Sequence, residues 1–153
     1  MFEAPIPRAV ELIATLLIPR READLETVRK GVEGTEGVVS GPRLNGRVTN
    51  CRVSGDLGKS GRLATVANFR ILTDDNAEVF MIDRGEWWGS NEALARLLAD
   101  KIVSPTEIYL VGIVEFQTTD PRYTWLKDGP YLSHAVGEQH SVKVSVYQAA
   151  ADS

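Results

Sequence analysis

The chain has 153 residues and a mass of 16.8 kDa, which suits a single domain over 1–153 and leaves no room for two of ordinary size. Hydrophobic residues make up 43% and charged residues 25%, as is usual for a globular protein. The 17 Lys and Arg residues against 21 Asp and Glu residues give a net charge of −4, which argues against nucleic acid as a partner.

Three further classes are excluded by what the chain lacks. Cys51 is the single cysteine, so neither an internal disulfide nor a cysteine-only metal site can form. The longest apolar stretch, 12–18, is far shorter than the roughly 18 residues of a membrane helix. The first five residues lack the basic start and apolar core of a secretory signal. We therefore expect a cytoplasmic protein with no membrane partner.

The first half of the chain carries mostly strand signals. Segment 9–19 is rich in Leu and Ile and ends at Pro19, which cannot donate a ladder hydrogen bond. Residues 20–37 are charged and interrupted by glycines, and they fit either a short helix around 22–30 or a loop with strand fragments. Residues 43–53 alternate in part, and the glycines at 55, 58 and 61 predict a turn region.

Segment 62–72 alternates more clearly and predicts a strand. One face carries Leu63, Thr65, Ala67, Phe69 and Ile71. The other face carries Ala64, Val66, Asn68, Arg70 and Leu72. Residues 73–76 predict a hairpin turn, because Asp and Asn tolerate left-handed backbone angles. The return strand is predicted at 77–83.

One amphipathic helix is predicted near 91–103. Ser90 or Asn91 can cap it, and leucines at 94, 97 and 98 continue to Ile102 with helical spacing. The Ser104-Pro105 pair ends it. Strands follow at 107–118 and at 141–149, where the valines at 142, 144 and 146 are predicted to point inward.

Many antiparallel-type strands with short turns and one helix predict a mainly β fold, a single closed antiparallel β-barrel of about eight strands. Closure removes the exposed strand edges that invite aggregation. An antiparallel barrel of that size can hold one small ligand in its lumen.

Short motifs along the chain follow the order of one known family. Residues 41–46 (GPRLNG) resemble "GPRLxG", and 69–77 (FRILTDDNA) resemble "RYxLxTDDGA". Arg84-Gly85 resembles the "RG" that comes next, and 116–118 with 121–126 (FQT, PRYTWL) resemble "FxT…PxYxWLN". Val146-Tyr147 resembles the closing "VY". Over about 12–149, the chain resembles the UPF0311 (DUF3237) family.

The resemblance implies a compact β-barrel similar to those of allene oxide cyclase and the dirigent proteins, with no metal, nucleotide or other cofactor. Barrels of that wider shape often bind small apolar molecules, and some guide cyclisation or elimination without a cofactor. The chain departs from the family pattern at four places: Val111 stands where the family has Arg in "YxR", Lys127 replaces the Asn of "WLN", Asn76 replaces the Gly of "TDDG", and 131–135 replaces a stretch with Gly and Val. If the family shares a site built on that Arg, a changed ligand or reaction would follow.

Four residues are candidates for catalysis. If its strand face lines the lumen, Arg70 would stabilise an oxyanion. Glu115 interrupts an apolar strand and could act there as a general acid or base, and His134 titrates near neutrality. Asp75 would lie at the barrel mouth. The plainer interpretation places Arg70 and Glu115 in solvent, His134 in a surface loop and Asp75 in the hairpin turn.

Other side chains could form the wall of a ligand site. These polar and aromatic candidates are Asn68, Trp87, Trp88, Tyr109, Tyr123 and Trp125. The aromatic ones could equally pack the helix onto the barrel or form a dimer contact. The two histidines, His134 and His140, lack the spacing of a zinc site, so no metal site is predicted.

The leading hypothesis is a cofactor-independent cyclase, isomerase or lyase that acts on an apolar metabolite in the lumen. A shaped, dry lumen would select a reactive conformer. The alternative is a binding or carrier barrel without catalysis. A third hypothesis is a structural module that forms a homodimer through an outer sheet face that includes Tyr109, Val111 and Ile113.

Overall fold

The computed structural model describes residues 10–20, 23–34, 36–58 and 62–149. Nine strands form one antiparallel sheet: β1 (Val10–Pro19), β2 (Val32–Gly34), β3 (Val38–Ser40), β4 (Gly46–Leu57), β5 (Leu63–Thr73), β6 (Glu78–Gly89), β7 (Ile108–Gln117), β8 (Tyr131–Glu138) and β9 (Ser141–Ala149). Two helices, α1 (Leu25–Lys30) and α2 (Asn91–Leu98), and a 3₁₀ helix (Pro121–Lys127) complete the described structure.

Eight of the strands close into a barrel, which confirms the predicted fold. Strands β5 to β9 pair in sequence order, β9 pairs with β1, and β1 pairs with β3. Strand β4 closes the cylinder by pairing with both β3 and β5. The ninth strand, β2, pairs with β4 beyond the end of β3.

The core follows from the period-two alternation of each strand. In β7, for example, Ile108, Leu110, Val114 and Phe116 are buried, and the residues between them face outward. The inward set of β9 includes Val144 and Val146, as the sequence predicts. Filled in this way, the barrel buries one continuous apolar cluster inside and a second one beneath the helices.

The two helices can be compared with two predictions from the sequence. The segment 20–37, predicted as either a short helix or a loop with strand fragments, contains α1, which Asp24 caps through its side chain, and β2; strand β3 follows. Helix α2 is capped by Ser90 but ends at Leu98 rather than 103. The chain leaves the helix because Asp100 adopts a left-handed backbone (φ 55°), and Ile102 is therefore 70% exposed instead of extending the apolar stripe.

Three strand boundaries differ from the prediction. Strand β6 continues past 83 to Gly89, so Trp87 and Trp88 are strand residues. Strand β4 runs through Gly55, which was expected in a turn. Strand β8 was not predicted, because small or polar residues such as Ser133 interrupt the apolar alternation on its inward face. The hairpin turn after β5 is confirmed, with Asn76 at φ 67°.

Within the described residues, no helix is both long enough and apolar enough to cross a membrane.

Candidate functional site

A cavity of about 190 Å³ occupies the half of the lumen that lies beneath α1 and α2. Its wall is built from the inward faces of β4 to β9, and its roof from Val28 of α1 and Leu94 and Leu97 of α2. An apolar cavity of roughly 150 Å³ is known to bind benzene. The lumen therefore has room for a molecule of about one ring.

The cavity wall is mainly apolar, with two polar side chains deep inside. Phe69 and Trp87 contribute the aromatic surface, and Trp87 contacts both the barrel core and the cluster beneath the helices. Thr65 (5% exposed), Asp83 (4% exposed) and the side chain of Arg20 (3% exposed) are the buried polar groups among the described residues that line the cavity. A ligand would therefore meet a mainly apolar surface that contains a hydroxyl, a carboxyl and a guanidinium group.

Asp83 is the one buried acidic residue among the residues that the structure describes. Burial raises the pKa of its carboxyl to about 6, a shift that the nearby Ser133 hydroxyl opposes. Neither Asp83 Oδ1 nor Ser133 Oγ has a partner in hydrogen-bonding geometry among the described residues. A carboxyl that changes charge near neutral pH inside an apolar cavity is suited to general acid–base chemistry.

Gly112 makes the room for Asp83. It lies on β7, between the strands that carry Asp83 and Ser133. A Cβ added to Gly112 would lie 2.1 Å from Asp83 Oδ1 and 2.7 Å from Ser133 Oγ. Any other residue at 112 would therefore displace the carboxyl from its position against β7.

Sequence reasoning missed Asp83, although the signal was present. In β6 the buried residues Val79 and Met81 alternate with exposed ones, and Asp83 continues the buried series. A carboxyl at an inward position of an apolar alternation must be paired, protonated or functional, because burial of an isolated charge is costly.

The β-ladder is interrupted between β1 and β2. Strand β2 pairs with β4, whereas β1 pairs with β3 at positions 15–17, so no ladder bonds join β1 to β2 in the described structure. Ile18 and Pro19 on one side of this gap in the ladder and Glu33 and Gly34 on the other all line the cavity.

Arg20 fixes the roof of the cavity. Its side chain is 3% exposed, Nε lies 2.9 Å from Asp100 Oδ1, and Nη2 donates to the carbonyl of Lys101 at 2.8 Å. A longer hydrogen bond, 3.4 Å, joins Nη1 to the carbonyl of Leu97. Arg20 therefore ties the end of α2 to the end of β1.

The opposite end of the barrel is closed, and many of the sequence motifs meet there. Leu44 and Leu126, each 1% exposed, fill this end. The guanidinium of Arg43 lies 3.8 Å from the ring centre of Trp125. Beside them, Asp75 accepts hydrogen bonds from the Thr73 hydroxyl and, at 2.8 Å, from Tyr123; these two bonds, that of Thr73 foremost, lower the pKa of Asp75. The motif residues here form a plug whose polar groups are paired.

The structure corrects the lumen position considered for Arg70 and Glu115. Both side chains are more than half exposed on the outer face, because the inward residues of β5 and β7 are the apolar alternates. Arg70 forms an ion pair with Glu78, and Glu115 Oε2 lies 3.7 Å from Arg84. Neither can reach a ligand inside the barrel.

Most of the other predicted site residues also lie away from the cavity. His134 is on strand β8 rather than in a loop, where it faces outward and stacks on Tyr109 at 5.6 Å between ring centres. Asn68 belongs to the outward face of β5, and Trp88 lies beneath the guanidinium of Arg62. Asp75, Tyr123 and Trp125 are at the closed end. Of the ten predicted residues, Trp87 alone lines the cavity.

Cys51 lines the same cavity as an apolar residue. It is 3% exposed, and burial raises the pKa of its thiol to about 12. A thiol that stays protonated is a poor nucleophile. In the part of the chain that the structure describes, no three His, Cys, Asp or Glu side chains come together to hold a metal ion.

Fold and cavity together define a small closed β-barrel with a one-ring, mainly apolar lumen and, among the described residues, a single buried carboxyl. The chain belongs to the family described as "Protein of unknown function (DUF3237)", whose model matches residues 11–149. The predicted family is thereby confirmed. Two of the departures from the family motifs, Val111 and Lys127, are exposed and do not reach the cavity wall, whereas the stretch 131–135 contributes Ala135 to it.

Two relatives that are similar to this chain in sequence are named UPF0311 proteins. One from Rhodopseudomonas palustris (strain TIE-1) is 27% identical over 122 residues, which cover 79% of this chain and 80% of that protein. Another, from Clostridium acetobutylicum, is 24% identical over 113 residues, which cover 73% of this chain and 72% of that protein.

Solved structures share the fold. A conserved protein of unknown function from Rhodopseudomonas palustris has a TM-score of 0.77 at 21% identity and covers 95% of this chain and 99% of its own. A β-barrel-like protein from Acinetobacter baumannii AYE has a TM-score of 0.68 at 23% identity, with 95% and 98% covered. An enzyme from Penicillium herquei has a TM-score of 0.57 at 17% identity, with 97% and 100% covered.

Proposed function

We propose that the protein is a cofactor-independent enzyme that binds a small apolar molecule in the lumen and uses Asp83 to move a proton on it. The observation that carries the proposal is a buried carboxyl beside an apolar cavity of about 190 Å³. Because burial raises the pKa of Asp83 to about 6, the ionised form predominates at neutral pH but remains easy to protonate.

Among the reactions expected from the sequence, isomerisation suits this site best. A single carboxylate can take a proton from one carbon and return it to another, so the bond shift needs no second acid. Elimination and many cyclisations need a separate acid for the leaving or accepting group. Cys51 would be a weak acid in that role, since burial raises the pKa of its thiol to about 12 and donation near neutral pH has little driving force.

The rest of the cavity would support proton transfer by excluding water. Trp87 and Phe69 would pack against the faces of the substrate, and Leu94 and Leu97 of α2 would cover it. Burial of the reacting carbon next to Asp83 would place base and proton at a fixed separation, which reduces the entropic part of the barrier.

The isomerisation of 3-cyclohexenone to 2-cyclohexenone tests this proposal. Asp83 would take a proton from the carbon between the carbonyl and the double bond, and the resulting dienolate would regain it at the far end of the conjugated system. We expect the protein to accelerate the reaction over buffer, and Asp83→Asn to lose at least about 100-fold in kcat/KM. The conjugated product is followed by its ultraviolet absorbance.

Glu115→Gln is the matched control, because it makes the same carboxylate-to-amide change on the outer face. It should leave the rate unchanged. No acceleration by the wild type, or equal rates for wild type and Asp83→Asn, would contradict the assignment of Asp83.

A carrier without catalysis is the second candidate, and one observation favours it. Asp83 is the one buried acidic residue among the described residues, so the cavity is mostly an apolar container. In that case one-ring compounds would bind with no change in the rate of 3-cyclohexenone isomerisation, and Asp83→Asn would alter affinity alone.

A further inference from the structure

The charged groups on the cavity wall restrict the charge of the ligand. Asp83 is negative at neutral pH, whereas the Glu33 carboxylate beside the β1–β2 gap is paired with Arg52 at 3.0 Å. Arg20 is the cation on the wall, and its Nε and Nη2 atoms are engaged by Asp100 and by the Lys101 carbonyl. Among the described residues of the wall, an anionic ligand would therefore meet the Asp83 carboxylate and a cation that already has partners.

A cationic ligand fits the cavity no better. An ammonium group carries three N–H donors and loses its hydration when it enters an apolar site. Besides the Asp83 carboxyl, the buried polar groups on the wall are the Thr65 hydroxyl and the Arg20 guanidinium, which repels a cation, and the neighbouring surface is Leu, Val, Ala and Phe. At least one N–H would remain unsatisfied, which costs free energy in a dry site.

Thr65 and Asp83 are placed to act on two points of one small molecule. In the β5–β6 ladder, Thr65 lies opposite Gly85 and Asp83 lies opposite Ala67. The two side chains are therefore diagonal neighbours on the inner face, a relation that spans about 7–8 Å between α-carbons. Across this span a ligand of one ring can touch both the hydroxyl and the carboxyl.

We propose that the lumen selects an uncharged cyclic ketone, with its oxygen hydrogen-bonded to the Thr65 hydroxyl and its acidic C–H directed at the Asp83 carboxylate. This inference rests on the proposed function. Thr65 would donate its O–H to the carbonyl oxygen, where negative charge develops as Asp83 takes the proton. The cavity volume of about 190 Å³ limits the ligand to about one ring.

Binding of matched probes tests the ligand class without any turnover. Cyclohexanone and methylenecyclohexane have the same number of non-hydrogen atoms and differ in C=O against C=CH₂. By titration calorimetry at pH 7.5, we expect cyclohexanone to bind about fivefold more tightly, the effect of one neutral hydrogen bond. Cyclohexylammonium and cyclohexanecarboxylate should bind at least about tenfold more weakly than cyclohexanone.

Thr65→Val removes the hydroxyl with little change of shape and should abolish the preference for ketone over alkene. Thr65→Ser keeps the hydroxyl and should retain it. In the 3-cyclohexenone assay, Thr65→Val should lower kcat about tenfold while the apparent pKa of the pH–rate profile stays that of Asp83. Recovery of the rate in Thr65→Ser would separate a role at the oxygen from a packing defect.

The outcomes distinguish this inference from the function it rests on. Equal binding of ketone and alkene, a preference that survives in Thr65→Val, or a charged probe as the tightest ligand would overturn the ligand class. If any one of these results is obtained while Asp83→Asn still abolishes turnover, the ligand class is wrong and the proposed function is retained. If the ketone preference holds without turnover, the catalytic proposal fails instead. No saturable binding of any probe would contradict both.

Discussion

The two ends of the barrel differ in how completely they satisfy their polar groups. At the closed end, Asp75, Tyr123 and Thr73 are joined by hydrogen bonds, and the Arg43 cation stacks on Trp125. At the helix-covered end, Asp83 is buried beside a cavity, and its Oδ1 has no partner among the described residues. A satisfied network stabilises a fold, whereas a buried, unpaired acid lowers stability and signals function.

This contrast shows that the residues most visible in a sequence need not form the site. The motifs at 41–46, 73–77 and 121–126 meet at the closed end, where Leu44 and Leu126 are almost fully buried. The cavity is lined instead by alternating strand residues and by apolar residues of the two helices, and its polar side chains are those of Asp83, Thr65, Arg20 and Glu33. The family motifs therefore identify the fold, whereas the proposed chemistry depends on the residues that line the cavity.

The largest effect should come from Gly112→Ala at the helix-covered end. The new methyl group would lie 2.1 Å from Asp83 Oδ1 and displace the carboxyl. Because small misplacements of a catalytic group can cost about 100-fold, we expect a loss of that size in kcat/KM for 3-cyclohexenone. Ile113→Ala is the control, since Ile113 is the next residue on β7 and is 63% exposed on the outer face of the barrel. Equal losses in both variants would contradict the positional argument.

Leu126→Ala tests the closed end, where we expect a loss of stability without a loss of turnover. Leu126 is 1% exposed, so its truncation should lower the free energy of unfolding by about 4 kcal/mol, measured by urea denaturation. Turnover and the preference for cyclohexanone over methylenecyclohexane should stay at wild-type values below the transition. A change in ligand selectivity would mean that the two ends are coupled and that their separation is wrong.

Asp83→Asn should show the stability that the buried acid costs. The pKa of Asp83 is raised to about 6 in the folded state, so the folded protein binds more protons than the unfolded chain between about pH 4 and 6. The contribution of protonated Asp83 to the free energy of unfolding is therefore fully present below pH 4 and is lost as pH rises through 6. At about 1.4 kcal/mol per pKa unit, the Asp83→Asn variant should be more stable than the wild type by up to about 3 kcal/mol at pH 8, and the two should be nearly equal at pH 4.

Urea denaturation at pH 4, 6 and 8 measures this difference. Glu115→Gln serves again as the control, because the exposed ion pair with Arg84 contributes less than about 0.5 kcal/mol. A wild type that is more stable than Asp83→Asn at pH 8 would show that the carboxyl is paired in the folded protein.

Sequence reasoning found most of the fold but little of the cavity wall. Strands 62–72, 107–118 and 141–149 lie within one or two residues of β5, β7 and β9, because their alternation and turn residues agree. Strand β8 was not predicted, because Ser133 and Gly137 interrupt the apolar series of its inward-facing residues. Of the proposed wall residues, Trp87 reaches the cavity, since β6 continues past its predicted end.

The sequence by itself determined the alternation of each strand, the cap of α2, the turn after β5 and, through its motifs, the family. Only the tertiary structure decided which face of each strand points inward. In β5 both faces mix polar and apolar residues, so local pattern leaves the choice between Arg70 and Thr65 open. Closure of the barrel settles it, because pairing with β4 and β6 turns one whole face toward the lumen at once. The same closure buries Asp83 across Gly112, a contact between strands that no local sequence pattern contains.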